Sequence, residues 1–378
     1  MPTNILYLFE EEKEENPDYL NKQLITYIGN KRSLLPFIGR GIDLVLKRLN
    51  KRKLSTFDVF SGSGIVARYL KKYSNKIIVN DLEKYSETIN KCYLTNVSEL
   101  NLKKLKECYY EIIFKLENEP LREGFISELY APKYDDEIRP GERVFYTRRN
   151  AMYIDTSRQY IENIPEEYRY YFIAPLLSEA SIHANTSGVF KGFYKDSEKK
   201  VGKYGGRKGD ALLRILGDIH LHFPVFSNFE CEVEIHRGDS NVIVDCVDEV
   251  DIAYLDPPYN QHPYGSNYFM LNLITEYIKP AKVSKVSGIA TNWNRSAFNK
   301  KNLAYKVFEE LVNKIKAKFL IISFNSEGFI TQNEMMNMLN KIGIVTVLET
   351  KYNTFRGSRN LRNRNIHVKE YLYLVEKK

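Results

Sequence analysis

Four consecutive residues, Asp256-Pro257-Pro258-Tyr259, carry the most specific chemistry in the chain. They follow the apolar run Ile252-Ala253-Tyr254-Leu255, so they stand where a buried strand would end. Two prolines fix two backbone φ angles and remove two amide donors, leaving a stiff loop whose carbonyls are free to accept from a ligand. Such a loop suits an exocyclic aromatic amine. The Asp256 carboxylate can take one N–H and the Pro257 carbonyl the other, which aims the nitrogen lone pair at an incoming methyl group. The same acceptors stabilise the positive charge that grows on the nitrogen. Tyr259 offers an aromatic face on which a base can stack, worth about 1–3 kcal/mol per base. An amine inside a duplex is out of reach, so its base would have to be flipped out of the stack. Neither a metal nor a covalent nucleophile is needed. A proline-stiffened turn is the bland alternative.

A second constellation is Phe60-Ser61-Gly62-Ser63-Gly64, at a strand end and opening a helix. Glycines there let the backbone approach a ligand closely. Asp81, at the end of the next strand, is placed to accept from both hydroxyls of a ribose. Gly62-x-Gly64-x-x-Ala67 also satisfies a dinucleotide fingerprint, with Asp81 17 residues after Gly64. A methyl donor, a dinucleotide and a plain tight turn all fit this element. Asp58, just before the turn, could reach an ammonium of a methionine moiety or could cap neighbouring backbone.

The elements that must position these groups can be read from periodicity. Residues 34–52 have helical apolar spacing with a basic end, as a helix dipole favours. STFDVFSGSG (55–64), IVARYLKKY (65–73) and KIIVND (76–81) make a βαβ unit, which predicts a parallel sheet. Residues 86–119 read as one or two long helices. From 120 to 230 strand signals weaken, and 188–210 looks like an exposed basic loop or hairpin. Strands resume at 231–239, 250–259 and 319–324, with a helix at 302–318 between the last two. The runs 343–350 and 368–378 suggest an antiparallel hairpin. The expected fold is therefore α/β, a Rossmann-like sheet split by an insertion of roughly a hundred residues. Residues 1–20 are expected to form a flexible acidic arm, 21–119 and 231–378 the catalytic domain, and 120–230 a recognition domain.

Composition narrows the function classes. The chain has 378 residues, a net charge of +8 and no apolar run near the roughly 18 residues a membrane span needs. Its N-terminus is acidic, unlike a signal or transit peptide, so the cytoplasm is the expected compartment. The four cysteines are scattered, and the histidines lack ligand-spaced partners, so no metal is expected. Residues 188–210 hold seven Lys/Arg against three Asp/Glu, and 351–378 hold eight against two. Clustered cations suit a polyanion, because neutralised phosphates release counterions. A solvated basic face gives the same pattern.

Taken together, these motifs resemble the alpha group of DNA adenine-N6 methyltransferases of restriction–modification systems. The resemblance covers most of the chain and follows that group's motif order. Tyr27-Ile28-Gly29-Asn30-Lys31-Arg32-Ser33-Leu34-Leu35 resembles its N-terminal motif. FSGSG (60–64) resembles the glycine motif, Asp81 the ribose-binding acid, and Arg237-Gly238-Asp239-Ser240 the motif whose acid contacts the cofactor's adenine amine. Asp256 to Tyr259 resembles the catalytic motif, extended through DPPYNQHPYGSNYF (256–269). FNSEGF (324–329), TFRGSRN (354–360) and KEYLYL (369–374) resemble later motifs. Asn30 departs from the second glycine of many relatives, and asparagine tolerates left-handed backbone.

The resemblance implies a sheet that binds S-adenosylmethionine, leaving S-adenosylhomocysteine as product, and a site-specific transfer of methyl to a flipped adenine. It implies catalytic roles for Asp256, Pro257, Pro258 and Tyr259, with Tyr27, Lys31, Asp58, Phe60, Gly62, Gly64, Asp81 and Asp239 at the cofactor. Double-stranded DNA is the expected partner. Lys191, Lys195, Lys203, Arg207, Lys208, Arg356 and Arg359 are the candidate contacts, and Tyr264 and Tyr268 are expected near the pocket. A cognate restriction endonuclease encoded nearby, outside any stable complex, would complete the system. The N4 of cytosine is an alternative acceptor. Outside this chemistry stand a dinucleotide-dependent oxidoreductase, in which DPPY would have no role, and a silent DNA-binding regulator.

Overall fold

Seven strands form one sheet: β1 (Leu54–Asp58), β2 (Ser74–Asp81), β3 (Glu232–Arg237), β4 (Val250–Leu255), β5 (Ala317–Asn325), β6 (Gly343–Asn353) and β7 (His367–Lys377). Their spatial order is β3-β2-β1-β4-β5-β7-β6. The computed structural model describes residues 14–378 apart from 197, 200, 207, 208, 210, 327 and 354–366. β1 to β5 pair in parallel, and β7 lies antiparallel between β5 and β6, the pairing suggested by the two terminal runs.

The period-2 alternation of the strands sorts their side chains onto two cores. Phe57, Ile78, Ala253, Leu255, Leu320 and Ile322 face the helices Lys301–Lys314 and Gln332–Ile342. Ile77, Val79, Ile252, Tyr254, Phe319 and Ile321 face Leu35–Leu49 and Ile65–Leu70. All six residues of β4 are buried, as befits a strand covered on both faces. From β1 the chain moves outward through β2 to β3, then returns to place β4 on the other side of β1. This reversal opens a crevice at the carboxyl ends of β1 and β4, where such sheets bind their ligands.

The insertion is helical. Phe125–Tyr130, Arg148–Ile161 and Glu166–Ile182 are its main elements. The last is buried through Tyr171–Ser178, with Pro175 inside it, so it has no polar face to give an amphipathic signal. Its apolar residues share one core with Ile89 and Ile112 and with Met270, so packing continues across the expected boundary at 119/120. Residues 14–20, expected in the arm, pack on the body. Tyr19 is fully buried, donates to the Tyr93 carbonyl at 2.6 Å and lies under the Arg68 guanidinium. Glu15 accepts from Ser227 and from the Asn228 amide. No helix among the described residues is long and apolar enough to cross a membrane.

Candidate active site

At the crevice the structure brings together Tyr27, Lys31, Asp58, Phe60, Gly62, Asp81, Asp239, Asp256 and Pro258. They line one cleft of about 900 Å³, counting its solvent-open mouth. The segment 27–31 is held there by tyrosines. Tyr27 stacks on Tyr264 and Tyr268 with ring centroids 5.0 and 4.6 Å apart. Tyr268, fully buried, accepts the Ile28 amide at 2.7 Å, and Tyr264 donates to the Ile28 carbonyl. Gly29 takes the left-handed conformation, with φ +74°. Asn30 does not: its side chain accepts the Arg32 amide at 2.8 Å and starts the short helix that follows.

The glycine turn closes on Asp81. The Gly62 amide donates to the Asp81 carboxylate at 2.7 Å, and the Glu83 amide donates to its other oxygen at 2.9 Å. A side chain at Gly62, where φ is +52°, would meet the Tyr27 ring at 3.1–3.3 Å, so the close approach of these two segments requires glycine. Gly64 does not line the cleft. With φ +75° it turns the chain into the next helix, and a Cβ there would press on Asn90 and Ile89.

Asp58 is fully buried, and neither carboxylate oxygen has a hydrogen-bond partner of normal geometry. Burial, with the charges of Asp256 and Asp81, pushes its pKa well above the usual range. The Phe60 and Ala67 amides offset this only in part. A buried carboxylate without donors of normal geometry is costly to keep charged, and a cation or donor in the cleft would offset that cost. Burial also lifts Asp81 to about 6, against the amides it accepts. Asp239 uses its side chain to cap Ser240–Ile243, accepting from the Asn241 amide.

Asp256 follows the last residue of β4 and keeps 19% side-chain exposure, into the cleft. Burial raises its pKa to about 6, Lys31 opposes the rise and Glu370 adds to it. The Lys31 ammonium, itself buried, lies 3.3 Å from Asp256 and 2.7 Å from Glu370. Burial alone would lower the lysine pKa, but the charges of Asp256 and Glu370 override it and hold the ammonium protonated. Pro257 and Tyr259 border a small adjoining cavity with Phe298, Phe308 and Phe324. The Tyr259 ring meets Phe324 edge-on at 5.5 Å, and its carbonyl accepts the Phe329 amide.

The basic segment contributes a short hairpin beside this loop. Lys195 bridges to Gly202, the Asn185 side chain donates to the Lys203 carbonyl, and Lys195 lies over Phe193. Lys191 is exposed at its base, close enough for its charge, added to burial, to lower the His262 pKa. The Phe190 amide donates to the Asn267 carbonyl, tying the hairpin to the segment that follows β4. Arg207, Lys208, Arg356 and Arg359 lie outside the described residues. No group of three or more metal-binding side chains occurs among the described residues.

Sequence reasoning missed two cleft residues and one group behind the cleft. Glu83, buried and raised to about 7 by burial and Asp81, accepts from Asn272 at 2.6 Å and Asn294 at 3.0 Å. Phe298 packs edge-on against Phe60. Glu370 lies in the KEYLYL run (369–374), but nothing local to that run points to Lys31, nearly 340 positions away. An acid two residues after Asp81 was the one available hint.

This geometry, a sheet with its ligand crevice at the switch point and an acid after β4 within it, is that of an S-adenosylmethionine-dependent methyltransferase fold. The chain matches the D12 class N6 adenine-specific DNA methyltransferase family over residues 27–212 and 219–338, and it belongs to that family. It is therefore a DNA adenine methyltransferase, and the dinucleotide oxidoreductase, silent-regulator and cytosine-N4 readings fall away. The Type II methyltransferase M.NlaIII of Neisseria lactamica is 30% identical over 363 residues, covering 93% of this chain and 99% of its own. M.CviAII of Paramecium bursaria Chlorella virus 1 is 28% identical over 369 residues, covering 93% and 98%. Modification methylase StsI of Streptococcus sanguinis is 27% identical over 370 residues. The match spans 93% of this chain but 52% of StsI.

Proposed function

We propose that this chain is the modification enzyme of a restriction–modification system, methylating adenine N6 within one short DNA sequence with S-adenosylmethionine bound in the cleft. The carrying observation is that an orphaned buried carboxylate, Asp58, and the acid of the DPPY loop, Asp256, face one cleft. The names of the relatives, Type II methyltransferases and a modification methylase, support the biological setting. A cognate endonuclease encoded nearby and a cytoplasmic location follow from the same reading.

The cleft residues fit this cofactor. Asp58, whose oxygens lack donors of normal geometry, would accept from an ammonium, Asp81 retains lone pairs for ribose hydroxyls, and Asp239 would accept from the adenine amine. Tyr27, Phe60 and Phe298 supply apolar walls, and Glu83 adds a further acceptor next to Asp81. When bound, S-adenosylmethionine supplies a methyl group on a positively charged sulfur. Asp256 and the Pro257 carbonyl accept the two N6–H bonds and localise the lone pair on nitrogen. Asp256, titrating near 6, is largely ionised at neutral pH and is the base beside the amine. Tyr259, braced by Phe324, supports the flipped base. Lys191, Lys195 and Lys203, with Arg207, Lys208, Arg356 and Arg359, contact phosphates, while base-edge reading belongs to the insertion.

The test is to express the protein in cells lacking DNA methylation and to sequence their DNA with modified-base detection. Full N6-methylation of adenine at one short motif is the expected result. Methylation scattered over unrelated sequences would overturn the site-specific modification reading.

A further inference from the structure

Glu370 on β7 is one of the most buried acids in the molecule, with 1% side-chain exposure. The chemistry just described makes no use of it. Its Oε1 accepts from the Lys31 ammonium at 2.7 Å and from the Ser323 hydroxyl at 2.8 Å. The same ammonium stands 3.3 Å from Asp256. Two carboxylates thus share one buried cation, and the one that does not face the cleft holds it more closely. Burying a second acid is expensive. Pairing Lys31 with Asp256 alone would have neutralised the lysine with one acid fewer.

We propose that Glu370 is a positioning residue that holds the Lys31 ammonium back from Asp256, so that Asp256 keeps its lone pairs for the adenine amine. The inference rests on the reading of Asp256 as the acceptor for N6. A carboxylate fully engaged by an ammonium is a weak acceptor toward a third group. One whose cation is drawn away by a neighbour remains basic and aimed at its substrate. The charged and titratable groups that act on Asp256 come from several elements: Lys31 from the N-terminal loop, Asp58 from β1, Tyr254 from β4, Glu370 from β7 and Tyr264 from the short helix beyond β4. Burial and Glu370 raise the Asp256 pKa and Lys31 lowers it, in keeping with this balance.

The experiment is the pH dependence of single-turnover methyl transfer to unmethylated plasmid DNA, between pH 5 and 8. It compares the wild type with Glu370→Gln, Glu370→Asp and Lys31→Met, and includes Asp256→Ala as a control. Without the Glu370 charge, Lys31 closes on Asp256, so in Glu370→Gln the acid limb should move down by about one pH unit. Its plateau should fall about tenfold, the scale of a weakened acid–base group. S-adenosylmethionine affinity and thermal melting should stay close to wild type. Lys31→Met should move the limb the opposite way, and Glu370→Asp, which keeps the charge, should restore the wild-type limb. A Glu370→Gln limb that coincides with the wild type or moves upward would overturn the proposal. If Glu370→Gln does not fold, Lys31→Met decides: an upward limb supports the proposal and an unmoved one refutes it. Retained transfer in Asp256→Ala would instead sink the reading of Asp256 itself.

Discussion

β4 carries an aspartate at each end, and the two have opposite environments. Asp251, second in the strand, accepts from Lys51 at 2.7–2.8 Å, from Lys318 at 3.1 Å and from the Ser55 amide at 3.1 Å. Burial would raise its pKa, but these donors outweigh burial and hold it below the usual range. Asp256, just past the other end, has one shared cation and is raised to about 6. Asp58, at the same carboxyl end of the sheet, has no hydrogen-bond partner of normal geometry, and the nearby Phe60 and Ala67 amides offset its burial only in part. The amino end of the sheet spends its acid on stability. The carboxyl end leaves Asp58 without a donor of normal geometry and Asp256 with a shared cation, as expected where acids are kept for a ligand at a cost in stability.

The largest effect expected from perturbing this contrast, short of removing Asp256, is at Asp58. Asp58→Asn should weaken S-adenosylmethionine binding about 10- to 100-fold by calorimetry, the scale of a charge-assisted hydrogen bond. The sign of its pH effect follows from linkage. An acid whose folded pKa is raised contributes stability below its unfolded pKa and loses it as pH rises through the folded value. Asp58→Asn should therefore raise the melting temperature of the cofactor-free protein at pH 8. An unchanged or lower melting temperature would remove the carboxyl end's unsatisfied character.

Asp251→Ala should do the reverse. It should cost about 1–2 kcal/mol of stability in denaturant melts, a figure held low because Lys51 and Lys318 are over 40% exposed. Activity per folded molecule should be intact. Because the Asp251 pKa is lowered, its contribution is present above the unfolded value and lost as pH falls through the folded one. The mutant should lag the wild type least in acid. Smallest is the effect of Lys195→Gln, which should reduce the salt slope of DNA binding by about one, without changing which sequence is methylated.

Much of the carboxyl end was legible in sequence because its signals are local. A strand followed by two prolines and an aromatic, a glycine pair with positive φ, and an acid closing the next strand each lie within a few residues. The βαβ unit and the terminal strand pair follow from periodicity in the same way. The pairing of Glu370 with Lys31 and the place of Asn294 in the cleft could not be found like this, because distant strands and loops bring these residues together. The insertion was hard to read because Glu166–Ile182 is buried nearly all round from Tyr171 on, and a helix without a polar face has no 3.6-residue signature. The packing of Tyr19 beneath Arg68 was equally hidden, since an acidic stretch gives no sign of the pocket that receives this aromatic ring.

The central claim, that Asp256 holds the reacting amine in a cleft whose cofactor contacts are made elsewhere, is tested most directly by separating transfer from binding. Single-turnover transfer of labelled methyl to DNA and calorimetric binding of S-adenosylmethionine should be measured on the same preparation of Asp256→Ala. The account predicts that transfer falls about a thousandfold, the upper scale for losing one preorganised hydrogen-bonding group at a developing charge. Cofactor affinity should remain within a few-fold of the wild type, and the melting temperature should be unchanged or higher. Transfer at the wild-type rate, or a loss of cofactor binding as large as the loss of transfer, would contradict it.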